Sequence, residues 1–172
     1  MKDLFLIAGY FGDHDVFLRA VKEKKLSFRE LLEMRWVDGS SLLEQAIGNR
    51  KYDTAEYLLR HGVPINVVTQ DGNNEFHYLA SWILEEHALE IGWKLLKKGV
   101  DLAQQDTKYG NTAMLILYMK LLPWAATSEI HMKFLKACLS KQHGIYETNK
   151  AGYCVMTTPI NEHYKEILPL LF

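Results

Sequence analysis

The side chains that could carry chemistry are few, and their spacing decides how to read them. The chain holds seven histidines and two cysteines. Glu86, His87 and Glu90 fall at spacings that can share one helix face, where two carboxylates and an imidazole would chelate a divalent metal. The same spacing also produces an ordinary solvated charged face, and that is the reading adopted. No histidine follows a glutamate by three residues, so the carboxylate-histidine pairs of di-iron bundles are missing. The sequence has no Gly-x-x-x-x-Gly-Lys phosphate loop, Gly-x-Gly-x-x-Gly, Gly-x-Ser-x-Gly elbow, Cys-x-x-Cys or His-Glu-x-x-His. No residue is therefore assigned a catalytic, cofactor-binding or metal-binding role. A metal-dependent hydrolase built on stacked helices is the minor alternative.

The chain is 172 residues long, 48% hydrophobic and 24% charged, which is ordinary globular composition for one domain. A net charge of −1 offers no electrostatic reason to bind nucleic acid or an anionic membrane. The apolar run Leu4 to Phe11 lacks a net positive start and a clean small-x-small cleavage site, and reads as a helix rather than a leader. Tyr109 to Met119, as long as any uncharged run in the chain, is too short to span a bilayer. Cys138 and Cys154 read as reduced, buried residues, and a cytoplasmic location is expected.

The elements that must position any site are clearest between Asp38 and Gly72. Ser41 followed by Glu44 is a capping box, which starts a helix at Leu42 with Leu42, Leu43, Ala46 and Ile47 on its buried side. Gly48 and Asn49 stop it. Asp53 is expected to cap a second helix with Ala55, Leu58 and Leu59 inward, ended by Gly62 and kept from resuming by Pro64. Two helices this short cannot bury their apolar sides alone and need neighbours of the same kind. Gly39 and Gly72 are 33 residues apart, and the series continues at Gly110 and Gly152 with intervals of 38 and 42. Gly62 and Gly99 mark helix ends in the first two units.

Elsewhere, Ser27 with Glu30 caps a short helix after an amphipathic run from His14 to Lys24. Asn74 to His87 and Leu89 to Lys98 are expected as the next helix pair. Thr112 to Leu122, ended by Pro123, and Glu129 to Ser140 follow, with Trp124 to Thr127 as a loop and one extra residue enlarging the turn before Gly110. Asn161 is expected to cap a final helix ending in Leu170-Leu171-Phe172.

Asp71-Gly72-Asn73-Asn74-Glu75-Phe76-His77-Tyr78-Leu79-Ala80 resembles the ankyrin signature Asp-Gly-x-Thr-Pro-Leu-His-x-Ala-Ala, with Asn74 and Glu75 in the threonine and proline places. Leu58-Leu59-Arg60-His61-Gly62-Val63 and Leu95-Leu96-Lys97-Lys98-Gly99-Val100-Asp101 resemble the family's Leu-Leu-x-x-Gly-Ala-Asp phrase, and Tyr109-Gly110-Asn111-Thr112-Ala113 opens a further unit. The resemblance runs from about Phe17 onward, although no unit carries an intact Thr-Pro-Leu-His. It implies an all-α ankyrin-repeat solenoid of helix-turn-helix units with hairpin-like connecting loops. The expected divisions are a capping helix at 1–12, a degenerate repeat at 13–37, a regular one at 38–70, expanded ones at 71–107 and 108–148, and a partial one at 149–172.

The same resemblance implies a protein partner held by the loop tips and the inner faces of the first helices. By position this selects Trp36, Val37 and Ser40, then Gln70, Asp71, Asn73 and Trp82, then Lys108, Tyr109 and Asn111, then Lys150 and Tyr153. Trp36 and Trp82 read equally well as core, while Tyr109, beside its glycine, is the preferred anchor. His77 takes the family's structural place, its imidazole bonding the backbone of the adjoining turn, and Gly39, Gly62, Gly72, Gly99, Gly110 and Gly152 are structural too. The expected role is an inhibitor, immunity-type protein or adaptor. The chain is expected to be a monomer, with dimerisation through the apolar tail as the other option.

Overall fold

The computed structural model describes residues 14–23 and 27–158, together with Leu6, Ile7 and Gly9. Among them the chain is all-α, with eight helices and no strand. The helices are α1 (His14–Glu23), α2 (Phe28–Glu33), α3 (Leu42–Gly48), α4 (Tyr52–Arg60), α5 (Glu75–Ala80), α6 (Glu86–Lys98), α7 (Ala113–Ala125) and α8 (Glu129–Leu139). Among the described residues, no helix is long and apolar enough to cross a membrane.

Local signals start several of these helices. Ser27 with Glu30 and Ser41 with Glu44 form complete capping boxes, and Thr112 accepts from the Leu115 amide at the head of α7. Asp53 does not cap α4. The helix begins at Tyr52 after Lys51, with no side-chain cap, and Asp53 sits in the first turn, where its charge complements the helix dipole.

Two rows of helices emerge from the packing. α3, α5 and α7 lie side by side, and α1, α4, α6 and α8 form the row behind them, with α3 packed on α4, α5 on α6 and α7 on α8. Ala46, Leu43, Phe76, Leu79, Met114 and Leu117 from the first row meet Ala55, Leu58, Leu95 and Phe134 from the second in one continuous buried core. Close approach is possible because Gly48 faces Tyr78: a Cβ there would stand 2.9 Å from the ring.

Four turns project beyond the first row, and one hydrogen-bond frame is used in each. Trp36 N–H donates to the Ser40 carbonyl, Thr69 to Asn73, Asp106 to Asn111 and Asn149 to Tyr153, at 2.8, 2.9, 3.0 and 2.8 Å. The third frame holds one residue more than the others, as the sequence spacing before Gly110 requires. Gly39, Gly72, Gly110 and Gly152 occupy the positive-φ position in these tips. Consecutive tips are tied by Gln70 N–H to the Asp38 carbonyl, Thr107 to Asp71 and Lys150 to Tyr109, at 2.8, 2.8 and 2.9 Å.

Helix lengths differ from the sequence expectation at two places. The helix expected over Asn74 to His87 stops at Ala80, and residues 81–85 turn before α6 begins at Glu86. That turn lets Trp82 Nε1–H reach the Gly48 carbonyl at 3.0 Å and buries Ile83. It also brings Glu85 to Arg50 at 2.8 Å and to the Tyr52 hydroxyl at 2.8 Å. The second correction is that α7 continues through Pro123 to Ala125, so Trp124 and Ala125 are helical rather than looped. Pro123 lies in the last turn. It removes one hydrogen bond to Met119, a residue facing solvent, so the helix is not broken.

Of the helix expected over Lys2 to Phe11, Leu6, Ile7 and Gly9 are described. They are helical, and Gly9 lies against Asn49 and Gln45. The expected terminal helix from Asn161 to Phe172, and with it the dimerisation option, lies outside the described residues.

Candidate functional site

A concave groove of about 680 Å³ opens between the second and third tips and the exposed faces of α5 and α7. Its walls hold six of the twelve residues selected as partner contacts from the sequence: Asp71, Asn73, Trp82, Lys108, Tyr109 and Asn111. A shallower hollow beyond Tyr109 adds Lys150. Val37 is 72% exposed and Tyr153 46% exposed, both outside the groove. Gln70 is exposed and donates its side-chain amide to the Val37 carbonyl.

Ser40 is a correction, since it is fully buried. Its hydroxyl donates to Asp38 at 2.6 Å and accepts from Gln45 at 2.7 Å, so it braces the first tip and offers nothing to a partner. Trp36 is half-buried against the core. Trp82 resolves as both: its ring packs on the core and forms part of the groove wall, with the Arg50 guanidinium 5.1 Å from the ring centroid.

Tyr78, Ser81, Asp106 and Ile116 also line the groove and were not selected from the sequence. Tyr78 was within reach, because the helix expected over Asn74 to His87 would put it on the same side as Trp82, four residues on. Burial, followed by the negative charges of Asp38, Glu44 and Asp71, pushes the Tyr78 hydroxyl up to about 12. Asp106 looks like a turn residue by sequence and acts as one, its carboxylate accepting the Tyr109 and Asn111 amides at 2.5 and 3.0 Å.

His77 borders the groove while holding the scaffold. Its Nδ1 accepts from the Asn74 amide at 3.2 Å, and Nε2 faces the Asn111 carbonyl of the following tip at 3.5 Å. Nδ1 also lies 2.9 Å from Asn74 Oδ1, but the Nε2–H tautomer satisfies both backbone groups. Burial lowers the His77 pKa, which keeps the ring neutral. Replacing His77 by Ala is expected to lower unfolding free energy by about 1 kcal/mol or somewhat more, read by urea titration. Unchanged stability would remove the structural role.

Glu86, His87 and Glu90 form an exposed face in which His87 Nδ1 lies 3.7 Å from Glu90. Among the described residues no group of three or more His, Cys, Asp or Glu side chains is placed to hold a metal. Both cysteines are free and buried, and burial raises the Cys138 thiol to about 12. No family model matches the chain, and no curated protein matches it.

Proposed function

We propose that the chain is an ankyrin-type repeat solenoid that binds a partner protein in the groove between its second and third tips. The single observation carrying this reading is the groove itself, where Trp82, Tyr109 and polar tip residues converge beside a rigid helix row. The hydrogen-bond frame repeated in four tips and the glycines at its positive-φ positions support the repeat assignment. Two free cysteines fit a reducing compartment such as the cytoplasm. An inhibitor or adaptor acts in this way, by occupying a partner's surface.

Tyr109 is 55% exposed and carries the Lys108 ammonium 4.7 Å over its ring, so its removal costs the scaffold little. Replacing it by Ala is expected to weaken partner binding by at least tenfold, the usual loss for a buried aromatic anchor, of about 2 kcal/mol. Co-purification from the native source with quantitative mass spectrometry, run beside thermal melts of both proteins, checks this. Full retention of every co-purifying protein by the Tyr109→Ala variant would count against the groove.

A further inference from the structure

We propose that the groove takes an arginine side chain from an extended segment of the partner, lodged against the Tyr78 ring and paired with the Asp71 carboxylate. This rests on the reading of the groove as the partner site and adds the chemistry of what enters it.

Charge and shape favour a planar cation. Asp71 lines the groove from an exposed tip position, and its carboxylate makes no hydrogen bond or ion pair among the described residues. Asp106 lines the same cavity, where its oxygens hold the tip amides. Asp38 stands close enough to act, with Asp71, on the Tyr78 hydroxyl. The positive groups bordering this region are already engaged. Arg50 is paired with Glu85 and covers Trp82, and Lys108 rests over Tyr109. The centre of the groove is therefore aromatic and anionic, with one carboxylate unpartnered.

A guanidinium suits that combination better than an ammonium. It is flat, weakly hydrated, and able to lie on a ring while directing two parallel N–H groups at one carboxylate. The Arg50 guanidinium on Trp82 is the same chemistry within the chain. An acidic segment would set its charge against Asp71 and Asp106, which the groove disfavours.

The test uses the full chain on an array of random-sequence peptides of about twelve residues, a length that spans an interface groove in extended form. Bound peptides are expected to be enriched at least threefold in arginine over the array, with lysine enriched less. Asp71→Asn is expected to abolish that enrichment with an unchanged melting temperature, since the Asp71 side chain makes no hydrogen bond or ion pair among the described residues. Equal enrichment of arginine and lysine that survives Asp71→Asn would be diffuse charge attraction, and would overturn the proposal. Enrichment of apolar or acidic peptides, lost in Tyr109→Ala, would also overturn it while leaving the groove as the partner site. Absence of binding to every peptide, together with partner binding indifferent to Tyr109→Ala, would sink both.

Discussion

Between pH 6.5 and pH 8 the melting temperature of the protein is expected to fall, and Glu44→Gln is expected to remove most of the fall. Glu44 is fully buried at the head of α3, and its Oε2 accepts the Ser41 amide at 2.6 Å. Oε1 is buried and has no hydrogen-bond partner among the described residues. Desolvation raises the Glu44 carboxyl to about 8, ahead of the opposing Ser41 hydrogen bonds, with Glu75 of α5 raising it further and Arg35 lowering it. Tyr78, the other titratable group facing it from α5, stays neutral across this range. At neutral pH the group holds its proton, and His77 stands 33 residues on in the same capping role.

The sign follows from proton counting. In the unfolded chain Glu44 titrates near 4.5, so from 4.5 to about 8 the folded state holds the extra proton. Its stabilising contribution is complete below that window and is lost as pH rises through about 8. Glu75, raised by burial, acts in the same direction. His77, with its folded pKa lowered from 6.5, acts oppositely, but only below 6.5, which makes the upper window the clean one. One proton contributes about 1.4 kcal/mol per pH unit, so the loss approaches about 2 kcal/mol, or roughly 4–8 °C in a chain of this size. Glu44→Gln keeps the acceptor for Ser41 and carries no charge, so above pH 8 the variant is expected to melt higher than the parent. A flat or rising profile for the parent in calorimetry, or an equal slope in the variant, would refute the buried acid.

Gly72→Ala is the most damaging single methyl to add at a tip. Gly72 has φ +76°, and a Cβ there would stand 2.5 Å from the Gln105 carbonyl oxygen and 3.0 Å from the Thr107 amide. The Thr107 amide is the one that ties the third tip to Asp71. The left-handed conformation alone costs an alanine about 1–2 kcal/mol, and displacing backbone that bonds the next tip is expected to bring the loss to about 3 kcal/mol or more. Gly62→Ala supplies the control. Its φ is +77° but nothing lies within 4 Å of the added Cβ, so only the conformational part, about 1 kcal/mol, should appear. Equal losses in paired urea titrations would mean that the tips do not press on each other.

Much of the architecture is legible because its signals are local. A hydroxyl and a glutamate three residues apart meet within one turn, so Ser27 with Glu30 and Ser41 with Glu44 specify helix starts without help from the rest of the chain. Glycines recurring at the tips mark places where the backbone must take positive φ, which is equally local. The failures have a common cause. Asp53 has the right residue type for a cap, but the chain enters α4 two residues too early for it. Residues 81–85 have helical patterning, yet the bonds of Trp82 to Gly48 and of Glu85 to Arg50 and Tyr52 hold them as a turn.

The candidate site divides along the same line. The ankyrin resemblance, carried over by position, selected Asp71, Asn73, Lys108, Tyr109 and Asn111, and these residues line the groove, since a residue flanking a projecting turn projects with it. Ser40 flanks such a turn too, but its hydroxyl is drawn inward by Asp38 and Gln45, partners supplied by the folded tip. Helix type, tip spacing and the outward tip residues were thus determined by the order of amino acids, since each depends on contacts a few residues apart. The depth of the groove, the entry of Tyr78 and Asp106 into it, and the burial that makes Glu44 an acid were decided by tertiary structure. Desolvation and cavity shape arise only when helices some 33 residues apart in the chain stand against one another.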